Sequence, residues 1–378
     1  MSKNNQYFNV YSCIKIVKGF KLGMLYDLQR KEYVQLPLDL CEVLISQNHN
    51  PLSIKELEND KFNSCVEQFR CFVTWLAKHD FILFCNSKSE AELFREISTK
   101  WSDIDLLINA IIDIDNNSKY DVRKAITNLQ IINCHSIQFR FFCDYEIESL
   151  LKIIRFTKDK SFQNIELILP YQEMFSKILL QEFAQEFANL VSITFFNSPR
   201  NNHIIIDQIS ISYTTQKVVS EKDCGNICKT KFACDLNYFK ESLHRNICLN
   251  GKVAIDKNGK IKNCPSFTFD YGDINEVDIQ NVISKNEFKQ YWFIKKDIIE
   301  VCKHCEFRYM CADCRAYTKV SNNLSSQPLK CTYNPFIAKW KGEEGYIPVE
   351  NCGAYSKEKG FVVDKLKVDA INIELDDF

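Results

Sequence analysis

Glycine and proline are scarce, at 10 and 8 of 378 residues. That rules out collagen-like and Pro/Gly-rich low-complexity chains, and no internal repeat stands out. No apolar run approaches the roughly 20 residues a membrane helix needs. Even Leu106 to Ile112 is broken by Asn109. The first residues, Met1-Ser-Lys-Asn-Asn-Gln-Tyr-Phe8, lack the apolar core of a secretion signal, so a cytoplasmic location and no membrane partner are expected. A net charge of -1 leaves no basic footprint for nucleic acid. There is no Gly-x4-Gly-Lys-Ser/Thr loop, no Gly-x-Gly-x2-Gly after a strand and no His-Glu-x2-His. Any ATP chemistry must therefore come from a partner.

Apolar residues make up 46% of the chain and aromatic ones 13%, enough to bury real cores in two or three domains. Cysteine is the outlier, at 18 residues. In a reducing compartment thiols stay free, so dense cysteine points to metal sites rather than disulfides. Cys13, Cys41, Cys65, Cys71 and Cys85 are scattered and read as core, because free cysteine is an ordinary small hydrophobe. The rest of the signal lies in the last third: Cys248-x10-Gly259-x4-Cys264, then Cys302-x2-Cys305-x5-Cys311-x2-Cys314, then Cys331. Two Cys-x2-Cys pairs in one segment form a strong metal signature.

Residues 1–90 read as a small α+β module. Phe8, Val10, Ile14 and Ile16 alternate as a first strand, followed by strands at Leu22 to Tyr26 and Tyr33 to Leu36. Helices are predicted over Leu38 to Ser46, after the capping box Ser53-Ile-Lys-Glu56, and over Phe62 to His79. Cys65, Phe69, Phe72 and Leu76 would form the buried stripe of the last helix, and Phe81 to Phe84 returns as a strand. Strands, three helices and a wing describe a winged-helix layout. The long helix mixes Lys61, Arg70 and Lys78 with Glu67 and Asp80, which argues against DNA.

Residues 91–222 alternate strand and helix: strands at Leu106 to Ile114, Ile137 to Phe142, Ile165 to Leu169 and Val191 to Phe196. Helices are predicted over Tyr120 to Gln130, Glu146 to Phe156 and Glu173 to Leu190. Repeated βα units imply a parallel sheet, too short for eight units, hence a partial barrel or open sheet. Cys134, His135 and Cys143 flank apolar strand residues and read as core rather than as a nucleophilic site. The run Lys295-Lys-Asp297 and the acidic end Glu374-Leu-Asp-Asp-Phe378 read as solvated surface. Glu182 and Glu186 share a helix face and receive no acid-base role.

The cysteine-rich segment resembles a SPASM domain, the auxiliary-cluster module of radical S-adenosylmethionine enzymes that modify peptides. The match covers about Cys224 to Cys352. It departs only where two residues separate Cys311 from Cys314 and three are usual. With Asn263-Cys-Pro-Ser266 and Cys305-Glu-Phe-Arg-Tyr-Met-Cys-Ala-Asp-Cys-Arg315, the layout is most similar to the SPASM-domain peptide maturases of grasp-with-spasm systems. Those act with an ATP-grasp ligase on a small precursor peptide. The order of elements in the first module likewise resembles the leader-recognition element of such enzymes, where a peptide adds to an open strand edge. Tyr33, Val34 and Gln35 would supply that edge.

The resemblance implies two [4Fe-4S] clusters, each needing four thiolates. By position, Cys302, Cys305, Cys311 and Cys331 would hold the first, and Cys248, Cys264 and Cys314 the second. A fourth ligand for the second is wanted from Cys224, Cys228 or Cys234, with His244 outside that group. Cys224 is preferred because Gly225 beside it permits close backbone approach. The family's Cys-x3-Cys-x2-Cys triplet is missing: the corresponding loop, Asp113 to Asp121, has no cysteine, so bound S-adenosylmethionine is not expected. Zinc would use nearly the same residues.

The expected fold is α+β with an α/β middle. It comprises a winged-helix-like peptide-recognition module (1–90), a degenerate partial (β/α) barrel (91–222), a cysteine-rich SPASM domain (223–350) and a tail (351–378). Three functions fit: a peptide-maturation component working with a ligase, a redox peptide-modifying enzyme using its auxiliary clusters, or a zinc-stabilised scaffold without activity. Whether the chain is itself an enzyme is left open by the missing triplet.

Overall fold

The computed structural model describes residues 6–49, 51–60, 62, 65–93, 96–102, 107–321, 323–356 and 358–376. Lys61, Leu106 and the last two residues of the acidic end, Asp377 and Phe378, lie outside them. The chain forms two compact units, each assembled from non-consecutive segments. One comprises 1–101, 227–244 and 295–378; the other comprises 102–226 and 245–294.

In the first unit, the alternating run from Phe8 to Ile16 is two strands, not one. Ile14 N–H donates to the Tyr11 carbonyl at 2.8 Å, a tight turn that separates β1 (Tyr7–Val10) from β2 (Ile14–Lys18). Strands β2, β3 (Leu22–Asp27) and β4 (Glu32–Pro37) form an antiparallel sheet in that order, while β1 pairs with β5 (Ile82–Cys85). Helices α1 (Leu38–His49), α2 (Ile54–Asp60), α3 (Val66–Lys78) and the short α4 (Lys88–Glu92) complete this part. The capping box forms: Ser53 N–H donates to Glu56 Oε2 at 2.7 Å and Glu56 N–H to Ser53 Oγ at 3.3 Å. Phe69, Val73 and Leu76 are the buried face of α3, with Cys65 and Phe72 only partly buried. Cys41 and Cys85 are core as expected, whereas Cys71 is exposed, because it falls on the outer face of α3.

The second unit is built on one sheet. β6 (Asn109–Ile114), α5 (Val122–Ile131), β7 (Ser136–Phe141), α6 (Ile147–Thr157), β8 (Asn164–Pro170), α7 (Lys177–Glu186) and β9 (Leu190–Phe196) run as βα repeats. A hairpin, β10 (Asn202–Ile206) and β11 (Ile209–Tyr213), follows. The chain then gives α8 (Leu236–His244) to the first unit and returns with β12 (Lys252–Ile255), β13 (Ile261–Lys262), α9 (Ile279–Ile283) and α10 (Asn286–Lys289). The sheet order is β10-β11-β9-β8-β7-β6-β12-β13, with only the two outermost pairs antiparallel. It is therefore an open, mostly parallel, eight-stranded sheet, and the two hairpins extend it beyond the strands that periodicity predicts. Helix α7 is shorter than its amphipathic pattern. Ser176 caps it by accepting from Leu179 N–H at 3.2 Å, and Gln208 Nε2 donates to the Ala184 and Phe187 carbonyls at its other end.

The remaining pieces are two-residue strands β14 (Tyr333–Asn334) and β15 (Lys339–Trp340), the hairpin β16 (Gly353–Ser356) and β17 (Gly360–Val363), and α11 (Lys365–Asp376), all in the first unit. Among the described residues no helix is long and apolar enough to cross a membrane.

Candidate metal centre

The segment from Lys295 to Tyr333 has little regular structure, so local turns and burial must aim its side chains. Cys302 begins a single 3-10 turn, Cys302–His304, and Cys305 N–H closes it on the Cys302 carbonyl at 2.9 Å. Ahead of it Val301 sits at φ +65°, ψ -50°, with Cys302 N–H donating to the Glu300 carbonyl at 2.7 Å. That is a γ-turn of the strained hand, rare for any residue and rarer for a β-branched one. Such strain collects at functional sites. Tyr26 and Tyr333, both on strands of the same unit, brace the turn that follows. Tyr26 donates to the Glu306 carbonyl at 2.6 Å and Tyr333 donates to the Glu306 carboxylate.

These turns bring Cys302, Cys305, Cys311 and Cys331 to the wall of a single small cavity of about 20 Å³, with Lys296 beside them. The four are the residues that the resemblance would give to a first cluster. Burial pushes the Cys302 thiol up to about 11 and Cys311 to about 12, and raises Cys305 and Cys331 as well. Neighbouring thiols add to the rise for Cys302, Cys305 and Cys311, while the Lys296 charge opposes it at Cys302, Cys311 and Cys331. A metal ion is what would draw those protons off, since only the thiolate is a good ligand.

Lys296 was expected on the surface and is 5% exposed instead. Its Nζ lies 3.1 Å from Asp313 Oδ1 and 3.9 Å from Cys302 Sγ. Burial works against the ammonium, but Asp313, Cys302 and Cys311 outweigh it and hold the proton well above the usual lysine range. Asp313 also accepts from Arg315 Nη2 at 2.8 Å, and Arg315 Nη1 donates to the Ser326 carbonyl at 2.8 Å. Two buried cations thus face one buried aspartate beside four thiols. Charge pairing of this kind leaves no periodic trace, so the Lys-Lys-Asp run read as solvated. The one available signal was its position a few residues before Cys302.

The other predicted ligands divide between the units. Cys314 is buried in the first unit. In the second, Cys224 ends a 3-10 turn (Glu221–Asp223) that Ser220 caps, and Gly225 after it adopts φ +84°. Cys248 lies in a turn whose Asn246 Oδ1 accepts from Cys248 N–H and Leu249 N–H at 3.1 Å each. Cys264 follows the β12–β13 hairpin. Gly259 in that hairpin has φ +79°, and a Cβ on it would stand 2.7 Å from Tyr120 Cβ, so the Gly-x4-Cys spacing reflects a position only glycine fits. Burial pushes Cys264 up to about 12, with Cys248 and Cys224 close enough to add to the shift. Cys228 Sγ lies 3.2 Å from Thr230 Oγ1, while Cys234 is buried and donates to the Glu32 carbonyl at 3.1 Å. His244 Nε2 lies 3.0 Å from the Thr99 carbonyl.

A buried ion pair joins β6 and β7. Asp113, at the end of β6, accepts from Arg140 Nε and Nη2 at 2.6 and 2.7 Å across the register of β6 and β7. Cys134 is fully buried, and its thiol is raised to about 12 by burial, which fits core packing and not nucleophilic work.

The proposed peptide edge is on β4, the outer strand of its sheet. Tyr33 is half-buried and meets Phe307 edge-on at 6.1 Å, Val34 packs on the helical core, and exposed Gln35 donates to Glu306 Oε1 at 3.2 Å. Among the described residues no three His, Cys, Asp or Glu side chains converge on one point as a single metal ion requires.

No known family model matches the chain, and no curated protein matches it in sequence. Among solved structures it is similar to SuiB of Streptococcus suis. With S-adenosylmethionine bound, SuiB matches over 85% of this chain and 98% of its own, at 11% identity and a TM-score of 0.35. SuiB alone gives the same coverage and identity at 0.36. SuiB with its precursor peptide SuiA covers 82% and 96%, at 12% and 0.33. At TM-scores this low the likeness assigns neither ligand nor activity to this chain.

Proposed function

We propose that this chain is a maturation component for a ribosomally synthesised precursor peptide, one that binds the peptide, carries two [4Fe-4S] clusters and acts with an ATP-grasp ligase. The observation that carries this reading is the cavity lined by Cys302, Cys305, Cys311 and Cys331 beside buried Lys296. A single zinc ion wants all its sulfurs about 2.3 Å from one point. A cube takes one thiolate per iron, so its sulfurs stand apart around a shared space. Four thiols that line one cavity supply the four thiolates a cube takes. Lys296 would offset the negative charge the four thiolates bring. When bound, such a cluster supplies one-electron transfer; the chain's own part is to hold it dry and charge-balanced.

For the second cluster the proposed ligands are Cys224, Cys248, Cys264 and Cys314. The ligase partnership rests on the motif resemblance and on the missing phosphate-binding loop. In this reading the segment 1–90 is the peptide-recognition module, with β4 pairing to the leader.

Anaerobic purification with iron, sulfide and zinc assays tests the clusters. About eight irons per chain are expected, falling to about four in Cys302→Ala with a matching loss of visible absorbance. Zinc in place of iron, or no metal, overturns the cluster reading and leaves a metal-stapled or metal-free scaffold. For recognition, amide exchange of β4 should slow when the precursor peptide encoded nearby is added. Protection confined to other elements would remove β4 from the binding site.

A further inference from the structure

The second unit carries a cavity that none of this chemistry uses. It has a volume of about 240 Å³ and is bounded by Tyr171, Phe175, Lys177, Ser198, Arg200 and Tyr213. Tyr171 directly follows β8, Ser198 and Arg200 follow β9, and Tyr213 ends β11. Since β8, β9 and β11 are neighbouring parallel strands, the cavity opens at their carboxyl ends. Open α/β sheets bind ligands in that place, because the loops there are free to vary while the strands hold them rigidly.

The walls have a definite chemistry. Three rings, Tyr171, Phe175 and Tyr213, stand around a buried fourth, Phe195. Phe175 is 4.8 Å from Phe195, Phe195 stacks on Tyr213 at 5.2 Å, and Tyr171 meets Tyr213 at 6.1 Å. Lys177 and Arg200 bring two positive charges, and among the described residues no acidic side chain lines the cavity. The loop carrying Ser198 and Arg200 is pinned, with Asn197 N–H donating to the Gln216 carbonyl at 3.0 Å and Ser198 N–H to the Thr214 carbonyl at 2.9 Å. Ser198 itself is buried, so its hydroxyl is presented from a fixed backbone.

We infer that this cavity is a binding site for a small anion carrying an aromatic ring, the ring held by Tyr171, Phe175 and Tyr213 and the anionic group by Lys177 and Arg200. The volume admits a single ring with a short side chain rather than a dinucleotide. Carboxylate and phosphate share the recognition chemistry, because a guanidinium and an ammonium serve either. The inference stands apart from the peptide-maturation reading and from any metal.

Calorimetry or ligand-observed NMR on the full chain tests it with four probes: N-acetylphenylalaninate, phenyl phosphate, N-acetylphenylalaninamide and acetate. The two ring-bearing anions are expected to bind saturably, the tighter one naming the head group, while the neutral amide and ring-free acetate bind at least about tenfold more weakly. Arg200→Gln and Lys177→Gln should each weaken the anion roughly tenfold, the worth of a charge-assisted hydrogen bond. Both side chains are exposed, so the variants should keep the wild-type melting temperature. Tyr213→Leu should erase the preference for the ring-bearing anions over acetate. Equal binding of the amide, unchanged affinity in both charge variants, or no saturable binding of either aromatic anion would overturn the assignment.

Discussion

The buried pair between Asp113 and Arg140 offers the most quantitative test. Both side chains are nearly out of solvent, at 1% and 6% exposure, and they meet through two hydrogen bonds of 2.6 and 2.7 Å. Removing one partner strands the other charge in a low-dielectric interior, which costs about 3–5 kcal/mol. Replacing both with apolar side chains of similar size removes the desolvation cost and the attraction together, and is often near neutral. Asp113→Ala and Arg140→Met should therefore each lower the melting temperature of the second unit by roughly 6–20 °C, at about 2–4 °C per kcal/mol for a unit of this size. The double variant Asp113→Leu/Arg140→Met should recover most of that loss. Urea unfolding under reducing conditions reads all three. A double variant destabilised by the sum of the single effects would refute the coupling. The pair also fixes a pH dependence. Burial pushes the Asp113 carboxyl up, and Arg140 draws it back only in part. The folded chain thus holds that proton after the unfolded chain has released it. This contribution to stability is fully present below the ordinary carboxylate pKa of about 3.9 and is lost as pH rises through the raised folded value. The stability of the wild type minus that of Asp113→Asn should accordingly fall as pH climbs from about 3 to 7. A flat or rising difference would reverse the assigned sign.

Three further substitutions, one of them a control, probe how the cysteine loops are held. Gly259→Ala combines a left-handed backbone with a contact of 2.7 Å to Tyr120, whereas Gly342→Ala at φ +99° meets nothing within 4 Å. The second should cost about 1–2 kcal/mol from backbone strain alone, and the first clearly more; equal midpoints in urea would show that Tyr120 moves aside freely. Tyr26→Phe deletes the donor to the Glu306 carbonyl, in a fully buried place, and should cost about 1–3 kcal/mol. A neutral effect would mean that carbonyl finds another partner.

Legibility tracked periodicity. The βα repeats of the second unit were visible because each helix shows an apolar stripe and each strand a continuous or alternating apolar run, as in Leu150, Leu151 and Ile154 of α6. The capping box at Ser53 and Glu56 was equally local and formed where its residues stand. What escaped was set at long range. The split of the first strand depends on a turn at Tyr11 and on β5 arriving as a partner some seventy residues later. Strands β10 to β13 are short, and they join the sheet only because β9 and β6 present open edges. The grouping of Cys302, Cys305, Cys311 and Cys331 was an implication of the motif resemblance, and the four line one cavity. Lys296 and Arg315 were not foreseen, because a buried cation is recognisable only once its aspartate is seen beside it.

Val301 shows how a short stretch without regular structure can still aim a ligand. At φ +65° it occupies a region costing a β-branched residue about 1–3 kcal/mol. Its side chain is 1% exposed and packs in a cluster with Phe336, Ile337, Val349 and Phe361, a burial worth about 1.5–3 kcal/mol. The two terms are of similar size, so the core holds the backbone in a conformation it would otherwise leave, and Cys302 is delivered to the cavity wall as a result. A comparison of small residues isolates the strain. Elsewhere glycine is less stable than alanine by about 0.5–1 kcal/mol. At position 301 both lose the valine packing, but only glycine is free of the positive-φ penalty. Val301→Gly should therefore unfold at a urea concentration equal to or higher than Val301→Ala. The ordinary order, with alanine the more stable, would show that the turn relaxes without cost and that packing alone positions Cys302.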